Sequence, residues 1–136
     1  MYAAVLIAAA SLSVQPTKTT PLDMLKICAF NDALADASFM HHWVEVSSPV
    51  TAIERDGIGG YIVHLDATLH TTQMIGRVHV CCRFDPLTRD SLAKIRPGTV
   101  VTVRGVVRDI NDRLNRIVDS NVEITMRNCE VVAGAE

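Results

Sequence analysis

The chain has 136 residues, 49% of them hydrophobic, enough for one domain whose core needs neither a metal nor a disulfide framework. Formal net charge is −2 and aromatics are only 4%, which argues against general phosphate binding and against a platform of stacked bases. A local basic patch remains compatible with both totals. Among the four cysteines, Cys28, Cys81, Cys82 and Cys129, there is no C-x-x-C pair, so neither a zinc ribbon nor a thioredoxin-type site is expected.

Residues 1–14, M-Y-A-A-V-L-I-A-A-A-S-L-S-V, are apolar and rich in small residues, like the core of a signal peptide with Ala8-x-Ala10 as a cleavage site. No Lys or Arg precedes the run, and it is short for a bilayer span, so no membrane span is predicted. Export is slightly favoured over an ordinary N-terminal helix or strand, and an exported or periplasmic location over the cytoplasm. Residues 15–20 read as a polar linker. The chain therefore divides into a signal-like segment with linker, residues 1–20, and a folded domain, residues 21–136.

Pro21 to Met40 is predicted as one helix. Thr20 is its cap, Pro21 suits its first position, and Asp23 favours the positive end of the dipole. Ile27, Phe30, Leu34 and Ala37 form the stripe expected to pack on the sheet. Trp43 to Arg55 is the first strand, with Val44 and Val46 pointing one way, Trp43 and Glu45 the other, and Pro49 marking a bulge or an edge. Asp56 to Gly60 is a turn. Tyr61 to Ala67 is the second strand and Ile75 to Phe84 the third. Asp85 to Ile95 carries a short helix capped by Asp85.

Gly98 to Ile110, G-T-V-V-T-V-R-G-V-V-R-D-I, is the clearest strand signal in the chain. Val101, Val103 and Val107 recur at even spacing, while Thr102, Arg104 and Arg108 take the other face. Gly105 marks a bulge or a bend where a small barrel turns. Asn111 to Ser120 is a polar loop. Asn121 to Ala133 is the last strand, with Val122, Ile124 and Met126 alternating. Cys129 and Val131 fall on the opposite parity, so a bulge is expected near Asn128. The class is mainly β. A helix, three strands, a short helix and two strands make a five-stranded OB-fold barrel, with a short helix between strands 3 and 4.

From Pro21 onward several short motifs occur in a consistent order. They are Phe30-Asn31 and Ala35-Asp36 in the helix, Gly59 through Leu65 in the second strand, and Val80 through Phe84 in the third. Gly98 through Gly105 and Cys129 complete the set. In this order they resemble a family of small bacterial proteins, the tRNA-anticodon-binding-like OB family. The resemblance covers about four-fifths of the chain. It implies an OB fold, a nucleic-acid role by analogy, and export, since many members look exported. The chain departs from the family at Ser48-Pro49, where glycine is usual, and in carrying two adjacent cysteines in the third strand.

The second and third strands form an antiparallel hairpin, the surface on which OB folds commonly bind oligonucleotides or oligosaccharides. A register of apolar against apolar sets Val63 opposite Val80, Leu65 opposite Val78 and Tyr61 opposite Cys82. Its outer face then pairs Ile62 with Cys81, His64 with His79 and Asp66 with Arg77, with Arg83 beyond. The candidate ligand-binding residues are Ile62, His64, Asp66, Arg77, His79 and Arg83, with Arg104 and Arg108 as further phosphate contacts. Read without a ligand, Asp66 and Arg77 are a solvated ion pair worth under about 1 kcal/mol, and the histidines are simply exposed.

His64, His79 and Cys81 offer only three metal donors on strand positions nearly 7 Å apart, so no metal and no cofactor is expected. No catalytic motif is present, and no enzyme activity is expected. The expected function is a non-enzymatic OB-fold binding module, its partner a single-stranded nucleic acid bound weakly through the strand 2–3 face. The alternative is an exported cell-envelope protein binding a protein, peptide or glycan. With the third strand beside the fifth, Cys82 and Cys129 are expected as neighbours. They are expected to bridge only if residues 1–14 act as a signal, since an oxidising compartment is needed.

Overall fold

A computed structural model of the chain describes residues 16–70, 75–112 and 119–133. The signal-like residues 1–14 lie outside them, as do residues 113–118 of the polar loop. The strands are β1 (Thr17–Thr19), β2 (Trp43–Pro49), β3 (Ala52–Arg55), β4 (Tyr61–His70), β5 (Ile75–Phe84), β6 (Val100–Asp112) and β7 (Asp119–Ala133). Helices α1 (Pro21–Phe30) and α2 (Asp32–Phe39) precede β2. A 3-10 turn (Pro86–Thr88) and α3 (Arg89–Leu92) join β5 to β6.

All seven strands form one sheet in the order β1-β2-β6-β7-β5-β4-β3. Among the described residues the strand count is therefore seven, not five, and the pairing leaves the sheet open with β1 and β3 at its ends. Two local causes account for the difference. Pro49 has no N–H to donate, and the predicted first strand divides there into β2 and β3. The polar residues 17–19, read as linker, add β1 parallel to β2. Val50 and Thr51 then join the two sides of the sheet. Val50 N–H donates to the Thr99 carbonyl ahead of β6 (2.9 Å), and Thr51 N–H to the His64 carbonyl of β4 (2.8 Å). With β2 and β3 taken as halves of one strand, the order of connections in this open sheet is that of the OB fold.

Three long valine-rich strands build the core. Val101, Val103 and Val107 of β6, Val78, Val80 and Cys82 of β5, and Val122, Ile124 and Met126 of β7 are all buried. β5 runs parallel to β7, from Ile75 opposite Asp119 to Cys82 opposite Met126. The break in alternation near Asn128 is real. Asn128 has φ +54, and the β6–β7 register shifts between Arg104 and Val106. Gly105 sits at that shift because a side chain has no room there: a Cβ would lie 2.6 Å from Cys129 Sγ and 3.0 Å from the Arg127 carbonyl oxygen.

The predicted single helix is two. Asn31 closes α1, its N–H bonding to the Ile27 carbonyl, and opens α2, its Oδ1 accepting from Leu34 N–H at 3.1 Å. The expected stripe fails with it: Phe30, Leu34 and Ala37 are exposed and Ile27 is only half-buried. Met24, Leu25 and Cys28 of α1, with Ala35 and Phe39 of α2, are the residues buried in the core. The Thr20 cap and Pro21 at the helix start stand as expected.

Candidate nucleic-acid interface

The outer face of the β4–β5 hairpin carries the expected residues in a different register. Val63 lies opposite Cys82, Leu65 opposite Val80, and Tyr61 opposite Phe84. On the outer face Ile62 meets Arg83, His64 meets Cys81, Asp66 meets His79, and Arg77 meets Thr68. The pairing is displaced by two residues from the expected one. A two-residue slide keeps every side chain on its own face, so alternation alone cannot choose between the two registers. The observed one extends β4 from Ala67 to His70, so that it pairs along the whole of β5, Ile75–Phe84.

That register sets the contacts. His79 Nδ1 donates to Asp66 Oδ1 at 2.5 Å, and His64 Nε2 donates to Glu54 Oε1 of β3 at 2.9 Å. The other ring nitrogen of His64 faces Cys81 Sγ at 3.8 Å. Thiol, imidazole and carboxylate thus stand in a line, an arrangement that activates a nucleophile where the thiol ionises easily. Here the opposite holds. Burial pushes the Cys81 thiol up, and Glu123 and Asp66 push it further than Arg83 draws it down. The thiol stays protonated and poorly nucleophilic. Among the described residues no group of three or more His, Cys, Asp or Glu side chains is arranged to hold a metal. A shallow cavity of about 330 Å³ lies over this face, and Glu54 and Glu123 line it beside His64, His79 and Arg83.

The four candidate arginines do not act as one set. Arg104 is claimed by carboxylates, with Glu130 Oε1 at 2.7 Å from Nη2 and Glu45 Oε1 at 3.9 Å from Nη1. Arg77 is exposed towards the far end of β5, opposite Thr68 and Asn121, without an ion pair among the described residues. Arg83 and Arg108 come together. They line one groove of about 310 Å³ with Arg127, a residue the sequence reading did not single out. The three arginines belong to β5, β7 and β6, which are neighbours in the sheet. Cys82 and Met126 are paired and buried, so the next residues, Arg83 and Arg127, emerge side by side. Arg108 falls in the bulge between Val107 and Asp109, beside them.

The turn Asp56–Gly60 and the start of the 3-10 turn close the groove, contributing Asp56, Ile58, Asp85 and Pro86. Both carboxylates have local work. Asp56 accepts from Arg83 Nη1 at 3.0 Å, and Asp85 accepts from Leu87 N–H at 2.8 Å as the cap. Arg108 and Arg127 have no ion pair among the described residues. The outward parity of Arg127 was readable from Val122, Ile124 and Met126. Its nearness to Arg83 needed the parallel β5–β7 register.

Cys82 and Cys129 are neighbours. Both are buried, their thiols are hydrogen-bonded to each other, and they form no disulfide.

No family model matches the sequence, and no curated protein sequence does. Solved structures do resemble the fold. A Klebsiella pneumoniae protein, provisionally described as a nucleic acid-binding lipoprotein, aligns over 93% of this chain and 96% of its own at 20% identity and TM-score 0.56. The fold is shared. An aspartyl-tRNA synthetase of Leishmania major, also a provisional description, aligns over 88% of this chain and 21% of its own, at 11% identity and TM-score 0.49. The Saccharomyces cerevisiae mitochondrial single-stranded DNA binding protein Rim1 aligns over 72% of this chain and 98% of its own, at 7% identity and TM-score 0.38.

Proposed function

We propose that this chain is a non-enzymatic OB-fold binding module for short single-stranded nucleic acid. The observation that carries the reading is the groove in which Arg83, Arg127 and Arg108 converge from three adjacent strands. Guanidinium groups suit phosphate oxygens by charge and by their paired N–H donors. Ile62, His64 and His79 of the neighbouring hairpin face supply apolar and hydrogen-bonding contacts for the bases. The resemblance to the tRNA-anticodon-binding-like OB family supports this reading. So does the whole-chain likeness to the Klebsiella protein described as nucleic acid-binding. The phosphate contacts proposed here are Arg83, Arg108 and Arg127, with Arg127 added to the expected set because it lines the same groove, while Arg104 is engaged by Glu130 and Arg77 lies apart.

The test is a titration of an eight-nucleotide single strand at low salt, followed by fluorescence anisotropy. Binding is expected, and the double variant Arg108→Ala, Arg127→Ala is expected to weaken it at least tenfold. An absence of binding at low salt contradicts the reading.

A second reading is favoured by the carboxylates that accompany the basic groups, Glu54, Asp66 and Glu123 on the hairpin and Asp56 in the groove. A mixed surface of this kind suits a peptide or glycan partner at the cell envelope, and the signal-like residues 1–14 agree with it. Localisation of a tagged full-length chain separates the two. Recovery outside the cytoplasm favours the envelope reading, and retention in the cytoplasm contradicts it.

A further inference from the structure

We infer that the arginine groove prefers a phosphorylated end of the nucleic acid, a phosphomonoester, to an internal stretch of backbone, which it binds more weakly. The inference rests on the nucleic-acid reading above and narrows its ligand class. It follows from how the charges are distributed. A strand lying along a protein meets a phosphate at every nucleotide and needs a continuous basic track. Beyond the groove the outer face offers none. On the hairpin side come Glu54, Asp66 and Glu123, and His79 and His64 are each held by a carboxylate. On the β6 side Arg104 lies between Glu45 and Glu130. The formal net charge of −2 leaves no excess to spread.

The groove differs from this surround. It holds three arginines against two aspartates that are already engaged, Asp56 by Arg83 and Asp85 as a cap, and Arg108 and Arg127 are without an ion pair among the described residues around a space of about 310 Å³. Such a site suits one compact anion of high charge. An internal phosphodiester carries a single negative charge and two ester substituents that must both leave the groove. A terminal phosphomonoester carries between −1.5 and −2 near pH 7, with a second pKa of about 6, and presents three free oxygens. Three oxygens on one atom match guanidinium donors arriving from β5, β7 and β6. The turn Asp56–Gly60 and Pro86 line the groove beside the arginines.

The experiment compares one eight-nucleotide sequence in three forms, with hydroxyl ends, with a 5′-phosphate and with a 3′-phosphate, all titrated at pH 7.5. At least one phosphorylated form is expected to bind tenfold or more tightly than the hydroxyl form. That advantage is expected to shrink at pH 5.5, where the monoester loses charge. In the Arg108→Ala, Arg127→Ala variant the forms are expected to bind alike; both residues are exposed, so the fold is kept. Equal affinity of all three forms for the unaltered protein overturns the end-recognition inference and leaves the nucleic-acid reading standing. Failure of all three to bind overturns both.

Discussion

At Gly105 and Cys129 two residues 24 positions apart decide one another's identity. The bulge at Asn128 turns Cys129 inward, and its sulfur takes the space that a side chain at 105 would need. Gly105→Ala is expected to cost about 2 kcal/mol through overpacking, read as a lower urea midpoint. The same sulfur bonds to Cys82. That hydrogen bond, followed by burial, pushes the Cys82 thiol well above its ordinary value. In the unfolded chain a thiol ionises near pH ~8.5. Above that pH the unfolded chain sheds a proton that the folded chain keeps, so stability of the reduced protein falls as pH rises; below it the contribution is complete. Urea midpoints between pH 7 and 9.5 are expected to drop more steeply for the parent than for Cys82→Ala. Equal slopes contradict the assignment. We propose that the pair also bridges where the compartment allows it. Two thiols would give two protons and two electrons to a disulfide oxidant and form one S–S bond. Unfolded, non-reduced protein is then expected to count two free thiols when exported and four when cytosolic. The neighbourhood of Cys82 and Cys129 was legible in the sequence because valine parity and strand order both bear on it.

At the scale of elements, alternation reported faces faithfully and partners poorly. β5 is bounded correctly by its pattern, and the apolar residues that alternate in β2, β6 and β7 each share one face, which is the buried one. Pairing is not legible in this way, because sliding β4 by two residues on β5 leaves each face unchanged. The helix went wrong for a local reason. Propensity favours continuity from Pro21 to Met40, but Asn31 prefers to cap, and its side chain replaces a helical hydrogen bond with one to Leu34 N–H. Asn31→Ala is expected to lose about 1 kcal/mol of that cap, measured by urea unfolding. Asn31→Asp, which can still accept, is expected to retain most of it. A stable Asn31→Ala variant would contradict the role assigned to the break. β1 was missed because three polar residues on an edge carry no burial signal at all.

For the molecule as a whole, the order of elements was enough to reach the OB topology, since strand count matters less than sequence of connections. The first strand folds at Pro49 into β2 and β3, which adds a strand without changing the path. The candidate groove was only partly legible. Arg83 and Arg108 stand out by type and parity, but their meeting with Arg127 follows from β7 lying between β5 and β6. No run of basic residues marks it, so composition, at net charge −2, gives no hint of a groove that the fold lines with three arginines distant in sequence. The central claim is that a few phosphate contacts gathered in one groove bind a single strand. The direct measurement is the affinity of an unphosphorylated eight-nucleotide strand between 25 and 200 mM salt (about a Debye length of 20 Å down to 7 Å). Three contacts predict a slope of log K against log salt of about −2, reduced to about −0.7 in the Arg108→Ala, Arg127→Ala variant. A slope near zero, or one that the variant leaves unchanged, would contradict the claim.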